Sequence, residues 1–284
     1  SRSSAASDVY KRQLQGQHFA TDEWYEEMDN LDDFTYYYGF VALMEAQADY
    51  VEGKYLLGFD TYDRQDYISQ IPNIQCRVSL PSYFYIPAEL YYEFGPILAD
   101  QIIKNGKMEA LNSALFGYIN NGLNTLPTSE QIYDPARFFI DERYEELTSK
   151  TIELDNYILI DEGSFGALDL VYLMQDKIGQ TNAINAAVGI GGGNWKDYED
   201  SSGNLLMTLK LTGDNKDELQ EIYEAFILWG NAQSRFSSSE SYLNGSLFKG
   251  STNFWIYNDQ SFIRIVLSQD LDLLNSISDQ LNEF

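Results

Sequence analysis

Three carboxylates, Glu45, Asp49 and Glu52, fall within one apolar stretch, YYYGFVALMEAQADYVEGKYLL, Tyr36–Leu57. Their i, i+4, i+7 spacing puts them on one helical face with Tyr38, Val41, Ala42, Ala48, Tyr55 and Leu56. The stretch is apolar almost all the way round, the pattern of a helix buried in the middle of a domain. Burying an unpaired carboxylate is costly, so these acids should meet a cation, a donor or a metal. Two chemistries fit. The acids could pair with Lys, Arg or Tyr hydroxyls, or line a wet groove. Alternatively, they could hold a hard cation such as Ca²⁺ through oxygen ligands.

Few other residues could share in such chemistry. The chain has one histidine, His18, and one cysteine, Cys76. A zinc site usually draws on several His or Cys ligands, so these residues alone cannot build one of the usual kind. A single cysteine also excludes an intramolecular disulfide. Thr128, Ser129 and Ser164 read as helix caps rather than nucleophiles, because the lone histidine cannot be assigned to serve them. Gly189–Gly193 precedes a strand and lacks the Gly-Lys-Ser/Thr of a phosphate loop, so it reads as a flexible turn. The acids of 144–146 and 197–200 read as solvated faces, and Trp195, Trp229 and Trp255 as core or cleft wall.

The elements that must position Glu45 follow from pattern and punctuation. With 284 residues and 44% apolar content the chain can bury sizeable cores. Its net charge of −26 argues against nucleic acid and anionic membrane as partners and fits an extracellular, cell-surface or high-salt protein. No apolar run approaches the ~20 residues of a membrane span. Residues 1–13 lack hydrophobic periodicity, and their SAASDVYKRQ string resembles translated sequencing-library adaptor of the kind found in metagenomic reads. They are set aside as a non-native scar or a disordered tail. From 14 to 150 the signals are helical. Asp60–Pro87 reads as a loop over the core. A helix starts at Pro87, is kinked at Gly95-Pro96 and stops at Asn105-Gly106. Thr128 and Gln131 have capping-box spacing, and Asp134-Pro135 suits another helix start.

After residue 150 short strands appear, at 157–160, 194–199, 205–212, 254–257 and 262–267, with helices at 165–178, 214–229 and 270–281. Residues 237–252 read as a Ser-rich loop. The fold class is therefore α+β: a helical domain over 14–150, then over 151–284 an α+β domain with a mainly antiparallel sheet and two strand–turn–strand–helix units.

LQGQHF, Leu14–Phe19, resembles the segment HALQDQHF that follows the HExxH motif in a bacterial and archaeal family of zincin-like (gluzincin-type) zinc metallopeptidases. ALME, Ala42–Glu45, resembles that family's ALVEG segment. LPTSEQIYDPARF, Leu126–Phe138, is similar to its PxSTEQILHPEKY stretch. LIDEGSFGALDL, Leu159–Leu170, and GGGNWKDYE, Gly191–Glu199, resemble its LLDEDTLGEL and WGGDRYxxYE stretches. The likeness spans nearly all of the chain after Leu14, and the order and spacing of the motifs are more specific than any one of them.

The resemblance implies a peptidase site of two HExxH histidines, a water-activating glutamate, and a third zinc ligand from a later helix. By position Glu45 would be that third ligand, and Asp49, one turn on, could orient a histidine. Glu52 inherits no role. The departure is decisive: Tyr10, Lys11 and Arg12 stand where HExxH should end, and His18 matches a histidine that is not a ligand. The chain therefore reads as a zincin-like metallopeptidase without its catalytic helix. The parent would hydrolyse peptide or protein substrates with zinc. These residues as written have no catalytic set and should hold zinc only weakly. The rival expectation is a non-catalytic extracytoplasmic binding protein that uses the carboxylate face or the Trp-bearing second domain.

Overall fold

The structure, a computed structural model, describes residues 34–70, 85–122 and 125–280. The segment 1–33, with Arg12, His18 and the stretch Leu14–Phe19, lies outside the described residues, as does Cys76. The chain divides into two compact units between Phe139 and Ile140. The fold is α+β: a helical N-terminal region, then a seven-stranded sheet with its helices.

In the first unit, α1 (Phe34–Leu57) runs as one helix through the centre. Its first half is buried, with Phe40, Ala42 and Leu43 fully enclosed, whereas Val51, Tyr55 and Leu57 are exposed. Burial around the whole circumference therefore holds only for the first half. α2 (Thr61–Gln70) corrects the expected loop after Asp60: the Asp60 carboxylate accepts the Asp63 N–H at 2.9 Å and caps the turn.

α3 (Ile86–Glu89) leads into a π-helical turn at Leu90–Phe94 and then α4 (Gly95–Phe116). The Gly95 N–H bonds the Leu90 carbonyl, and Pro96 has no N–H to continue the α pattern, so the expected kink takes the form of one widened turn. α4 breaks at Gly106 and Lys107, where the Asn105-Gly106 stop was expected, and resumes beyond it. α5 (Tyr118–Asn121) follows, then α6 (Ser129–Tyr133) and α7 (Pro135–Phe139). Thr128 caps α6 through the full reciprocal box with Gln131. Ser129 is the first helical residue rather than the cap. α1 packs against the π turn, α4 and α6.

The second unit runs β1 (Tyr157–Ser164), α8 (Ala167–Ile178), α9 (Gln180–Ala187), β2 (Ile190–Asp200), β3 (Leu205–Gly213), α10 (Lys216–Ala232), β4 (Phe236–Tyr242), β5 (Gly245–Gly250), β6 (Asn253–Asn258), β7 (Ile263–Ser268) and α11 (Leu271–Ser276). The sheet order is β1-β2-β3-β7-β6-β5-β4, antiparallel throughout. α10, capped by Asn215, carries the chain from the middle of the sheet to its far edge.

Strand alternation divides the core. Leu209, Leu211, Ile265 and Phe254 face one way, where Phe226 and Trp229 of α10 pack against Phe254, the tryptophan edge-on. Leu206, Val266, Trp255 and Tyr198 face the other, under Leu273 and Leu274 of α11.

Several expectations change here. Residues 236–242 and 245–250 are strands, not a loop. β5 buries Leu247 and Phe248, and β4 is a solvated edge whose serines conceal it. The helix expected over 165–178 ends at Gly179, which has positive φ, and α9 follows directly; α11 ends at Ser276. Ser164 ends β1, and α8 is capped at Gly166. The glycines at 191–193 belong to β2, not to a turn: a Cβ on Gly192 would overlap the carbonyl of Glu145, which crosses the strand there.

Candidate functional site

Glu45 is half-buried on α1, and the Tyr92 hydroxyl donates to its Oε2 at 3.3 Å. The π turn supplies Tyr92. One turn away, α4 and α1 meet backbone to backbone: a Cβ on Gly95 would sit 2.6 Å from the Ala42 carbonyl oxygen. Ala42 and Gly95 therefore set how close the two segments come, and Glu45 and Tyr92 are brought together beside that contact. Further along α1, the buried Gln47 donates to the Asn112 Oδ1 of α4 at 2.7 Å. Tyr38 stacks on Tyr91 at 6.5 Å, so aromatic rings of α1 and the π turn flank the Glu45 face.

Asp49 is exposed and Glu52 half-buried, and none of the three acids is without a partner. The expected donor for Glu45 is thus a tyrosine hydroxyl. Three carboxylates spaced over seven residues are spread along about 10 Å of helix, so they share a face without converging on one point. Among the described residues, no three His, Cys, Asp or Glu side chains group to hold a metal. Glu45 with Tyr92 does not make a zinc site by itself, because one carboxylate supplies oxygen only. Tyr92 carried no local sign of its role. The Gly95-Pro96 pair, which widens the helix behind it, was the nearest one.

Two acidic features of the second unit also escaped the sequence reading. Asp161 and Asp197 stand opposite each other across β1 and β2. Burial, and then the facing Asp161 charge, push the Asp197 carboxyl above its ordinary range, so it is not a simple solvated acid. A groove of about 460 Å³ is lined by Tyr157, Asp200, Asp270 and Asp272. Its acids serve the backbone: Asp200 accepts the Ser202 and Asn204 N–H groups, and Asp270 caps α11. Trp229 and Trp255 are core residues, donating to the carbonyls of Leu173 and Tyr242, so they offer no surface platform.

In comparisons with protein-family models, curated proteins and solved structures, nothing matches this chain. Among the described residues no helix is long and apolar enough to cross a membrane.

Proposed function

We propose that this chain carries the third-ligand half of a gluzincin-type metallopeptidase site, with Glu45 as the zinc ligand and Tyr92 as the residue that orients it. The supporting observation is the placement of Glu45: half-buried on the helix at the centre of its unit, with its carboxylate held by a hydroxyl from an irregular turn. π-helical turns are frequent at functional sites. Asp49, one turn on, is the outer carboxylate that would orient a ligand histidine.

The two histidines and the water-activating glutamate are assigned to sequence upstream of Leu14. When bound there, zinc would activate water for peptide hydrolysis. The described residues contribute the ligand and its orientation, and no other step. The acidic surface favours an extracellular or cell-surface peptidase.

The test uses three proteins: this chain, the chain with residues 1–13 replaced by the upstream reading frame of its gene, and the latter with Glu45→Ala. Zinc titration and a fluorogenic peptide assay are run on each. This chain should bind zinc weakly and show no peptidase activity. The restored chain should bind tightly and cleave, and Glu45→Ala should lose both properties. An upstream frame without HExxH, or a restored enzyme indifferent to Glu45→Ala, defeats the assignment.

A further inference from the structure

The seven strands carry four cations: Lys196, Lys210, Lys249 and Arg264. Three have a carboxylate partner. Lys196 pairs with Glu162, Lys249 with Glu240 and Arg264 with Asp259. Lys210 forms no ion pair among the described residues. Its Nζ donates to the Thr148 carbonyl at 3.4 Å and lies 4.5 Å from the centre of the Phe262 ring. Among the four strand cations it is the one without a carboxylate partner.

The sheet register makes the position stranger. Lys210 of β3 stands directly opposite Arg264 of β7, and like charges in that relation repel. The Arg264 guanidinium lies 5.5 Å from the centre of the same Phe262 ring, so one aromatic ring serves both cations. Asp259 is engaged by Arg264 and by the N–H groups of Ser261 and Phe262. Burial, then the neighbouring guanidinium, hold the Lys210 ammonium below its ordinary range, while Asp259 pulls the other way. The same cross-strand row continues to Asn194 beside Lys210 and Tyr257 beside Arg264. Asn194, Lys210, Tyr257 and Phe262 are half-buried and Arg264 is buried, so solvent reaches the row at Lys210 and the guanidinium lies beneath it.

We propose that Lys210 and Arg264 form a binding site for an oxyanion, a carboxylate or phosphate group of a ligand. Such a group accepts charge-assisted hydrogen bonds from both cations and offsets the repulsion the fold builds between them. Asp259 fixes the guanidinium and Phe262 fixes the direction of both heads. The site lies wholly within the second unit and does not depend on the peptidase reading.

The full chain is titrated with inorganic phosphate, and separately with acetate, against sodium chloride of matched ionic strength. Thermal unfolding and the rate of Lys210 acylation by an amine-reactive ester, mapped by mass spectrometry, are followed. One or both anions should raise the unfolding temperature and slow Lys210 acylation while leaving the exposed Lys177 unaffected. A response to phosphate alone identifies a phosphate ligand, and a response to acetate alone a carboxylate ligand. Lys210→Gln should weaken the response at least about tenfold, as expected for losing one charge-assisted hydrogen bond, and Lys177→Gln should not. If Lys210→Gln does not fold, the acylation protection of the unaltered chain decides alone. No protection by either anion beyond chloride, or a full thermal response in folded Lys210→Gln, overturns the proposal.

Discussion

The Tyr144 hydroxyl is clasped by Gly193, donating to its carbonyl oxygen at 2.5 Å and accepting from its N–H at 3.0 Å. The Phe165 N–H bonds the same carbonyl at 3.0 Å. One buried phenol thus ties the segment before β1 to β2 and to the entry of α8. Tyr144→Phe keeps the ring but removes the hydroxyl and leaves buried backbone groups short of a partner. It should cost about 1–2 kcal/mol, measured as a lower denaturant midpoint with an unchanged slope. An unchanged midpoint would mean that water replaces the hydroxyl freely.

Gly192 tests the same junction from the backbone side. The Glu145 N–H bonds the Gly191 carbonyl at 2.6 Å, and the Glu145 carbonyl occupies the space a Gly192 side chain would need. No flexible side-chain end can yield there. Gly192→Ala should destabilise by about 1–3 kcal/mol, the range for overpacking. The double variant with Tyr144→Phe should lose less than the sum, because either change already loosens the segment. Strict additivity would show that the two contacts act independently.

Features written in local chemistry were legible in the sequence. The Thr128–Gln131 capping box, the break at Asn105-Gly106 and the Leu57 end of α1 each depend on a few neighbouring residues. The β4–β5 hairpin was hidden because its outer strand faces water and reads as polar. Asn244, at positive φ before Gly245, was its local sign. The Glu45–Tyr92 contact depends on where the π turn lands. The Lys210–Arg264 row depends on β3 pairing on its other side with β7, a strand distant in sequence. Such relations are set by topology, and no short window of residues carries them.

The Asp161–Asp197 pair gives a pH prediction. A carboxyl raised above its unfolded value binds more protons folded than unfolded, so it lowers stability at neutral pH. The penalty disappears as pH falls through its folded value. Asp197→Asn should therefore stabilise the protein at pH 7 by a modest amount, about 0.2–1 kcal/mol as for like charges facing across strands. The advantage should vanish toward the ordinary carboxylate range. An advantage that grows on acidification would reverse the sign and reject the account.

Asp259 works in the opposite sense. Burial pushes its carboxyl up, but the Arg264 guanidinium and the N–H groups of Phe262 and Ser261 outweigh burial and hold it below its ordinary range. A carboxyl depressed by folding contributes stability above its unfolded value and loses it as pH falls through its folded value. Asp259→Asn would leave the buried Arg264 without its carboxylate and facing Lys210. Breaking a fully buried pair costs about 3–5 kcal/mol, and with Asp259 partly solvated a loss of about 2–3 kcal/mol is expected. Lys210→Gln in that background should recover part of the loss, because it removes the facing charge. Acid unfolding followed by circular dichroism provides the second reading: the unaltered chain should lose stability below the ordinary carboxylate range, and Asp259→Asn should show a shallower fall. Equal slopes would show that Asp259 titrates alike folded and unfolded, and that the Arg264 pair contributes nothing to the acid limb.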